Sequence, residues 1–328
     1  MKSAIKIFIS FLVSLVCLYF ATCNVHWGEL KAIIANVKLF PLFITFLAMI
    51  LGFWLRAVRW QILLQPFQPV PQFPLFRWQI GSLLINNLLP LRMGELGRAY
   101  WAGHKTTISK STVFATIVIE RILDLATIAL IAVIFLLLTG LVEINSIFTL
   151  KNGILIALIG CGTLAVVKFY ISKISKEELL NKLKSFLPHK IHSIFEKFLH
   201  GLRVIKDKKE FSKVSLISPI IWSVDITIIL IVSYALNLNI SWLESGIVLV
   251  GLLLGVMIPA APGAAGTYEA GGVAALTLLG VGKTLALSFI LLLHSFQYVV
   301  VLILGIPILI MEGFNPKTIF QSMRNQGD

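Results

Sequence analysis

Apolar runs long enough to cross a hydrocarbon core of ~30 Å recur along the whole chain, at about 4–23, 39–64, 112–139, 152–171, 214–236 and 284–311. Each is bounded by aromatic or charged residues, the flanking pattern of a transmembrane helix. Two further apolar regions, 76–101 and 243–282, are interrupted by Pro, Gly and polar residues. Neither reads as one uninterrupted lipid-facing helix, because a break frees backbone N–H and C=O groups that hydrocarbon cannot satisfy. The pattern predicts an all-α, polytopic membrane helix bundle forming a single integral membrane domain over 1–328. A lone anchor on a soluble domain is excluded.

The periodicity changes between about 172 and 213. Leu179, Leu180, Leu183, Phe186 and Leu187, then Ile191, Ile194, Phe195, Phe198, Leu202 and Ile205, recur at spacings of three and four, and Pro188 divides them. Two amphipathic helices are expected, apolar on one face and lysine-rich on the other. They either lie on the inner leaflet, drawn to anionic headgroups, or pack as a hairpin on the protein's own cytoplasmic face.

Composition and charge give the bundle an orientation. Only 13% of residues are charged and 58% are hydrophobic, against roughly a quarter charged in soluble domains. The net charge of +13 sits in clusters between apolar spans, which fits membrane topology and not a nucleic-acid-binding domain. The stretch 168–213 carries twelve basic and five acidic residues, so it is placed in the cytoplasm. Lys2, Lys6, the basic residues from Arg56 to Lys110, Lys317 and Arg324 fall on the same side, leaving Lys31, Lys38, Lys151 and Lys283 opposite. Both termini are then cytoplasmic. The run after Lys6 is long enough to span, and Thr22 is a poor residue before a lipoprotein-type Cys23, so an uncleaved anchor is expected and not a signal peptide. Cys17, Cys23 and Cys161 lie in or beside apolar segments and read as small hydrophobes.

Residues 39–139 run as span, broken segment, span, and 214–311 repeat that order. Pro90 and Gly94 have the spacing of Pro262 and Gly266, and Glu120 and His294 are polar residues in the span that follows each break. Because one block begins outside and the other inside, the two are expected to be inverted repeats, each with a re-entrant helical hairpin. Secondary transporters place substrate between such discontinuous segments.

Candidate chemistry concentrates at the breaks. In the first, Asn87, Pro90, Arg92, Gly94, Glu95 and Arg98 lie within twelve positions. Proline removes a backbone donor, glycine permits unusual backbone angles, and the arginines suit bidentate phosphate binding, though an ordinary cytoplasmic loop would hold the same residues. Glu120, Arg121 and Asp124 lie inside a span, where ionisable groups take a functional or pairing role by default. Glu269, beside Tyr268, is the only ionisable carboxylate between Gly246 and Gly282. His294 and Gln297 share a helical face, as a proton site, a headgroup site or plain packing. Asp225 is similarly ambiguous, and Arg56 and Arg59, with Trp54 and Trp60, read as snorkelling interface anchors. Neither a metal-ligand cluster nor a cofactor motif is present in the sequence.

Arg56-Ala57-Val58-Arg59-Trp60, Asn87-Leu88-Leu89-Pro90-Leu91-Arg92-Met93-Gly94-Glu95, Glu120-Arg121-Ile122-Leu123-Asp124 and Pro262-Gly263-Ala264-Ala265-Gly266-Thr267-Tyr268-Glu269 together resemble the lysylphosphatidylglycerol synthase transmembrane, or flippase-like, family over about 5–312. The resemblance implies an inner-membrane protein of a bacterial cell that handles a phospholipid, an aminoacylated lipid or a polyprenyl-linked lipid. Two-part members add a cytoplasmic aminoacyltransferase domain, for which the residues after Arg324 leave no room, so lipid translocation without synthesis is expected. Membrane lipids are the expected partners, with a lipid-modifying enzyme or a second copy as further ones. The alternatives are an enzyme using Glu120, Asp124 and His294 as acid and base, and a non-transporting partner of one.

Overall fold

A computed structural model describes residues 2–89, 93–138, 196–202, 207–258 and 260–313. Every regular element among them is helical: α1 (Lys2–Thr22), α2 (Trp27–Ala35), α3 (Leu39–Leu64), α4 (Gln72–Leu88), α5 (Gly94–Lys105), α6 (Lys110–Leu138), α7 (Lys208–Ala235), α8 (Trp242–Met257), α9 (Thr267–Leu278) and α10 (Lys283–Met311), with a short 3-10 turn at Pro262–Ala264. The expected span at 152–171 and most of the basic loop at 172–213 lie outside the described residues.

Helices α3, α7 and α10 are long and apolar enough to cross a membrane. Part of α1 and α2 form a pair bent by 85° that together reach the same length. A helix at 27–35 was not expected from the apolar pattern. α3 shows how a lipid-solvated helix is built. Leu39, Phe40, Phe43, Leu47, Leu51 and Trp54 are exposed, while Thr45, Met49, Gly52, Phe53, Ala57, Trp60, Leu63 and Leu64 are buried. Both faces are apolar, and only the buried one has protein partners.

α3 and α7 make the most extensive helix contact, and they run antiparallel. The Lys38 backbone N–H donates to the Ala235 carbonyl (3.0 Å), and twenty-one residues further along α3 the Arg59 side chain reaches Ser218, well before the end of α7. The two ends of the bundle are tied by polar contacts. At one, Glu312 at the end of α10 forms ion pairs with Arg77 near the start of α4 (3.0 Å) and with Lys105 at the end of α5 (2.9 Å). At the other, the His26 N–H donates to Thr284 Oγ1 at the start of α10 (3.3 Å) and Lys38 Nζ donates to Asn237 (2.5 Å).

The first broken segment extends further than the apolar pattern implied, from Gln72 to Lys105, while the second runs from Trp242 only to Leu278. Their arms α5 and α9, of twelve residues each, are roughly 18 Å long, too short to span ~30 Å. Each arm lies antiparallel on the one before it. A Cβ on Gly94 would meet the Ser82 carbonyl and one on Gly81 would meet the Trp101 ring, and α8 meets α9 through Gly251 against Gly271 and Gly255 against Thr267. Gly271→Val puts a Cβ 2.2 Å from the Gly251 carbonyl oxygen, so the helices must separate. A loss of about 1–3 kcal/mol is expected in detergent melting, whereas Gly282→Ala, with nothing within 4 Å, should melt like the parent.

Candidate functional site

Two charged clusters and a cavity lie between these helices. The first cluster joins α3, α5, α6 and α7. Arg59 donates to Asp124 through both guanidinium nitrogens (2.6 and 3.3 Å) and to Ser218 Oγ (3.2 Å). Arg98 donates to Gln79 and to Glu120, and its guanidinium carbon sits 4.4 Å from the centre of the Trp60 ring, a cation–π contact. Arg59 and Glu120 are each 1% exposed. Arg59 Nε and Glu120 Oε1 face each other at 3.6 Å, too long for a hydrogen bond, and neither has a partner among the described residues. Arg121 is the most exposed member, its side chain 41% exposed, with Nη2 at 3.5 Å from Asp124 and Nε at 3.6 Å from Glu95.

The second cluster joins α9 and α10. Glu269 Oε1 lies 2.5 Å from His294 Nδ1, and its other oxygen accepts the Gly266 N–H at 2.6 Å, holding the first turn of α9. Tyr268 stacks on the His294 ring at 4.0 Å and Tyr298 meets it edge-on at 4.9 Å. The break before α9 is locked. Gly266 has φ +90°, and a Cβ there would lie 2.2 Å from the Ser14 carbonyl of α1, while Ala261 N–H donates to Ser14 Oγ (2.7 Å).

Between the clusters lies a cavity of about 240 Å³. Met49, Phe53 and Arg56 of α3, Leu83 of α4, Trp222 and Asp225 of α7, four apolar residues of α8 including Leu253, Tyr268 of α9, and Leu293 and Gln297 of α10 line it. Its walls are apolar except for Gln297, Tyr268 and an ion pair in which Arg56 donates to Asp225. Leu293 and Gln297 lie ten and fourteen residues into a 29-residue helix, so the cavity sits near mid-depth.

The sequence-predicted residues thus divide. Glu95, Arg98, Glu120, Arg121 and Asp124 come together, and Tyr268, Glu269 and His294 form a separate group. Asn87 lies at the end of α4, its side-chain nitrogen buried without a partner among the described residues. Gly94 opens α5, its N–H donating to Asn86 Oδ1 (2.7 Å). Pro90 and Arg92 lie outside the described residues, while Pro262 and Gly266 bracket the second break. Arg56 and Arg59 are not snorkelling anchors. Each faces a carboxylate on a neighbouring helix, and Trp60 is fully buried beneath Arg98. The arginine spacing on α3 marked these residues, but nothing in the sequence says which helix lies opposite.

Residues 7–305 match the family described as lysylphosphatidylglycerol synthase TM region. The chain belongs to that family. Members of similar sequence include a UPF0104 membrane protein of Methanothermobacter thermautotrophicus, 27% identical over 68% of this chain and 72% of the relative. Another, from Methanocaldococcus jannaschii, is 25% identical over 93% of each. Glycosyltransferase AglD of Haloferax volcanii is 25% identical over 67% of this chain, which spans 40% of that longer protein. Family membership and the apolar helices make this chain a multi-pass membrane protein of the lysylphosphatidylglycerol synthase TM region family. These relatives are archaeal, so the bacterial inner membrane is a narrower setting than they carry.

Proposed function

We propose that the protein is a lipid translocase that passes a polar headgroup between leaflets through the mid-depth cavity while the lipid tails stay in the bilayer. The observation that carries this reading is the cavity itself, lined from six helices, with one ion pair on an otherwise largely apolar wall. Arg56 offers donors to phosphate oxygens, and Asp225 accepts from an amine or hydroxyl. The family's description and the printed name of AglD favour lipid or glycolipid handling.

The reading takes the two blocks as the inverted repeats expected from the sequence. α3, α4–α5, α6 correspond to α7, α8–α9, α10, and the first members of the two sets pack antiparallel. In each set a carboxylate contact joins the arm after the break to the next helix, Arg98 with Glu120 and Glu95 with Arg121 in the first, Glu269 with His294 in the second. The end holding Arg77, Lys105 and Glu312 is the cytoplasmic one in this scheme.

Purified protein in vesicles carrying fluorescent phosphatidylglycerol, phosphatidylethanolamine or polyprenyl phosphate should move at least one of them between leaflets faster than protein-free vesicles do. Asp225→Asn should slow it ~10-fold, the effect of about 1.4 kcal/mol of lost headgroup contact. Wild-type rates equal to protein-free rates for all three lipids would sink the proposal.

An enzyme acting on a lipid-linked headgroup is the second reading, favoured by the name of AglD. Glu120 and Asp124 are bonded to arginines and His294 belongs to the other cluster, so these three do not form one acid–base set. Release of product from a lipid-linked sugar by the purified protein would decide for it.

A further inference from the structure

Most intramembrane charges described above are compensated without a mobile proton. Arg56 pairs with Asp225, and Arg59, Arg98 and Arg121 balance Glu95, Glu120 and Asp124. Arginine stays protonated in proteins, so these groups hold fixed charge. The Glu269–His294 pair differs in kind, because the partner of the carboxylate is an imidazole, which exists with or without its second ring proton, and not a guanidinium.

The pair is neutral while it holds one proton between the second ring nitrogen and the carboxylate, on His294 or on Glu269. Loss of that proton leaves the Glu269 carboxylate, 5% exposed, as an uncompensated charge among apolar helices, an arrangement that favours hydration of the site. That carboxylate also holds Gly266 N–H, and the ring it contacts is packed against Tyr298, whose hydroxyl donates to the Pro262 carbonyl (3.4 Å). Charge on the pair and closure of the break are therefore one mechanical unit.

We infer that Glu269 and His294 form a proton-binding site whose occupancy keeps the α8–α9 break closed, and whose deprotonation opens it toward the cavity. Coupling of that opening to lipid movement rests on the translocase reading; the proton site does not.

Among the described residues, few other groups face the pair. α9 supplies Tyr268 and α10 supplies Tyr298. α7 and α3 bring Asp225 and Arg56 across the cavity, bonded to each other. α1 touches the break through Ser14, with Cys17 and Tyr19 the titratable residues between 9 and 22. The carboxylate of α8, Glu244, lies at its far end, capping Ser241 N–H (2.6 Å). Arg77 of α4 is bound to Glu312 at the cytoplasmic end. Glu29 and Lys31 of α2 lie beside His26, which meets α10 ten residues before His294.

The test uses the full chain with Cys17, Cys23 and Cys161 replaced by alanine and Ala261→Cys at the break. Its labelling rate by a water-soluble thiol reagent is measured in vesicles against the same cysteine in His294→Gln and Glu269→Gln backgrounds, so that the thiol's own ionisation cancels. A one-proton link predicts that the ratio rises ~10-fold or more between about pH 5.5 and 8.5. A ratio that stays constant, or falls, against either variant that still melts cooperatively would overturn the proton site. In the same vesicles, an imposed pH difference should accelerate lipid movement and a protonophore should abolish the acceleration. A pH-dependent ratio without movement of any lipid leaves the proton site standing and removes the translocase. Lipid movement with a constant ratio does the reverse.

Discussion

Arg59→Ala is expected to destabilise the protein by about 3–5 kcal/mol, the cost of leaving a buried charge without its partner. Arg59 is 1% exposed and supplies two hydrogen bonds to Asp124. Without it, Asp124 keeps only Arg121, at 3.5 Å and partly exposed, and Glu120 keeps only Arg98. Arg121→Ala should cost less than about 1 kcal/mol, because an exposed arginine gains little from its pairs. The double change Arg59→Leu with Asp124→Leu should recover part of the loss, since it removes the charge and its counter-charge together. Melting in detergent, with yield of folded protein as a second reading, measures all three. Equal melting of Arg59→Ala and Arg121→Ala would show that the buried network does not hold α3, α6 and α7 together.

The second large effect is expected at the cavity wall. Leu253 of α8 lines the cavity, while its neighbour Leu254 is 59% exposed on the opposite, lipid-facing side. A tryptophan at 253 adds several heavy atoms to a space of about 240 Å³ already closed by Trp222 and Tyr268. A headgroup would then have no passage, and lipid movement should fall to the protein-free rate. The same substitution at 254 points into hydrocarbon and should leave the rate within a factor of about two.

Much of the architecture was legible from hydrophobic run length. α3 occupies 39–64 as the apolar pattern predicted, and the ends of α6, α7 and α10 fall close to those expected. α7 begins six residues earlier than the apolar run because Asp207 caps it, accepting from Lys209 and Glu210 N–H groups. The breaks at Gly94 and at Pro262–Gly266 were marked by residues that end helices. The partners of buried charges were not legible. In a soluble protein the polar face of a helix points outward, but here lipid-facing and buried faces are equally apolar. The sequence therefore carried no sign that Arg59 turns inward to Asp124 while Leu51 and Trp54 meet lipid. The same ambiguity left the sequence silent on which of the candidate residues share a cluster. Arg98 and Glu120 in one, and Glu269 in the other, are separated by a cavity whose ionic residues, Arg56 and Asp225, were read as an anchor and as an ambiguous helix charge.

The most direct test of the cavity as a lipid path is therefore leaflet exchange of a fluorescent lipid in vesicles reconstituted with wild type, Leu253→Trp and Leu254→Trp, each verified by melting. Exchange by wild type and Leu254→Trp, with Leu253→Trp at the protein-free rate, is the predicted result. Equal exchange by all three folded proteins would contradict it.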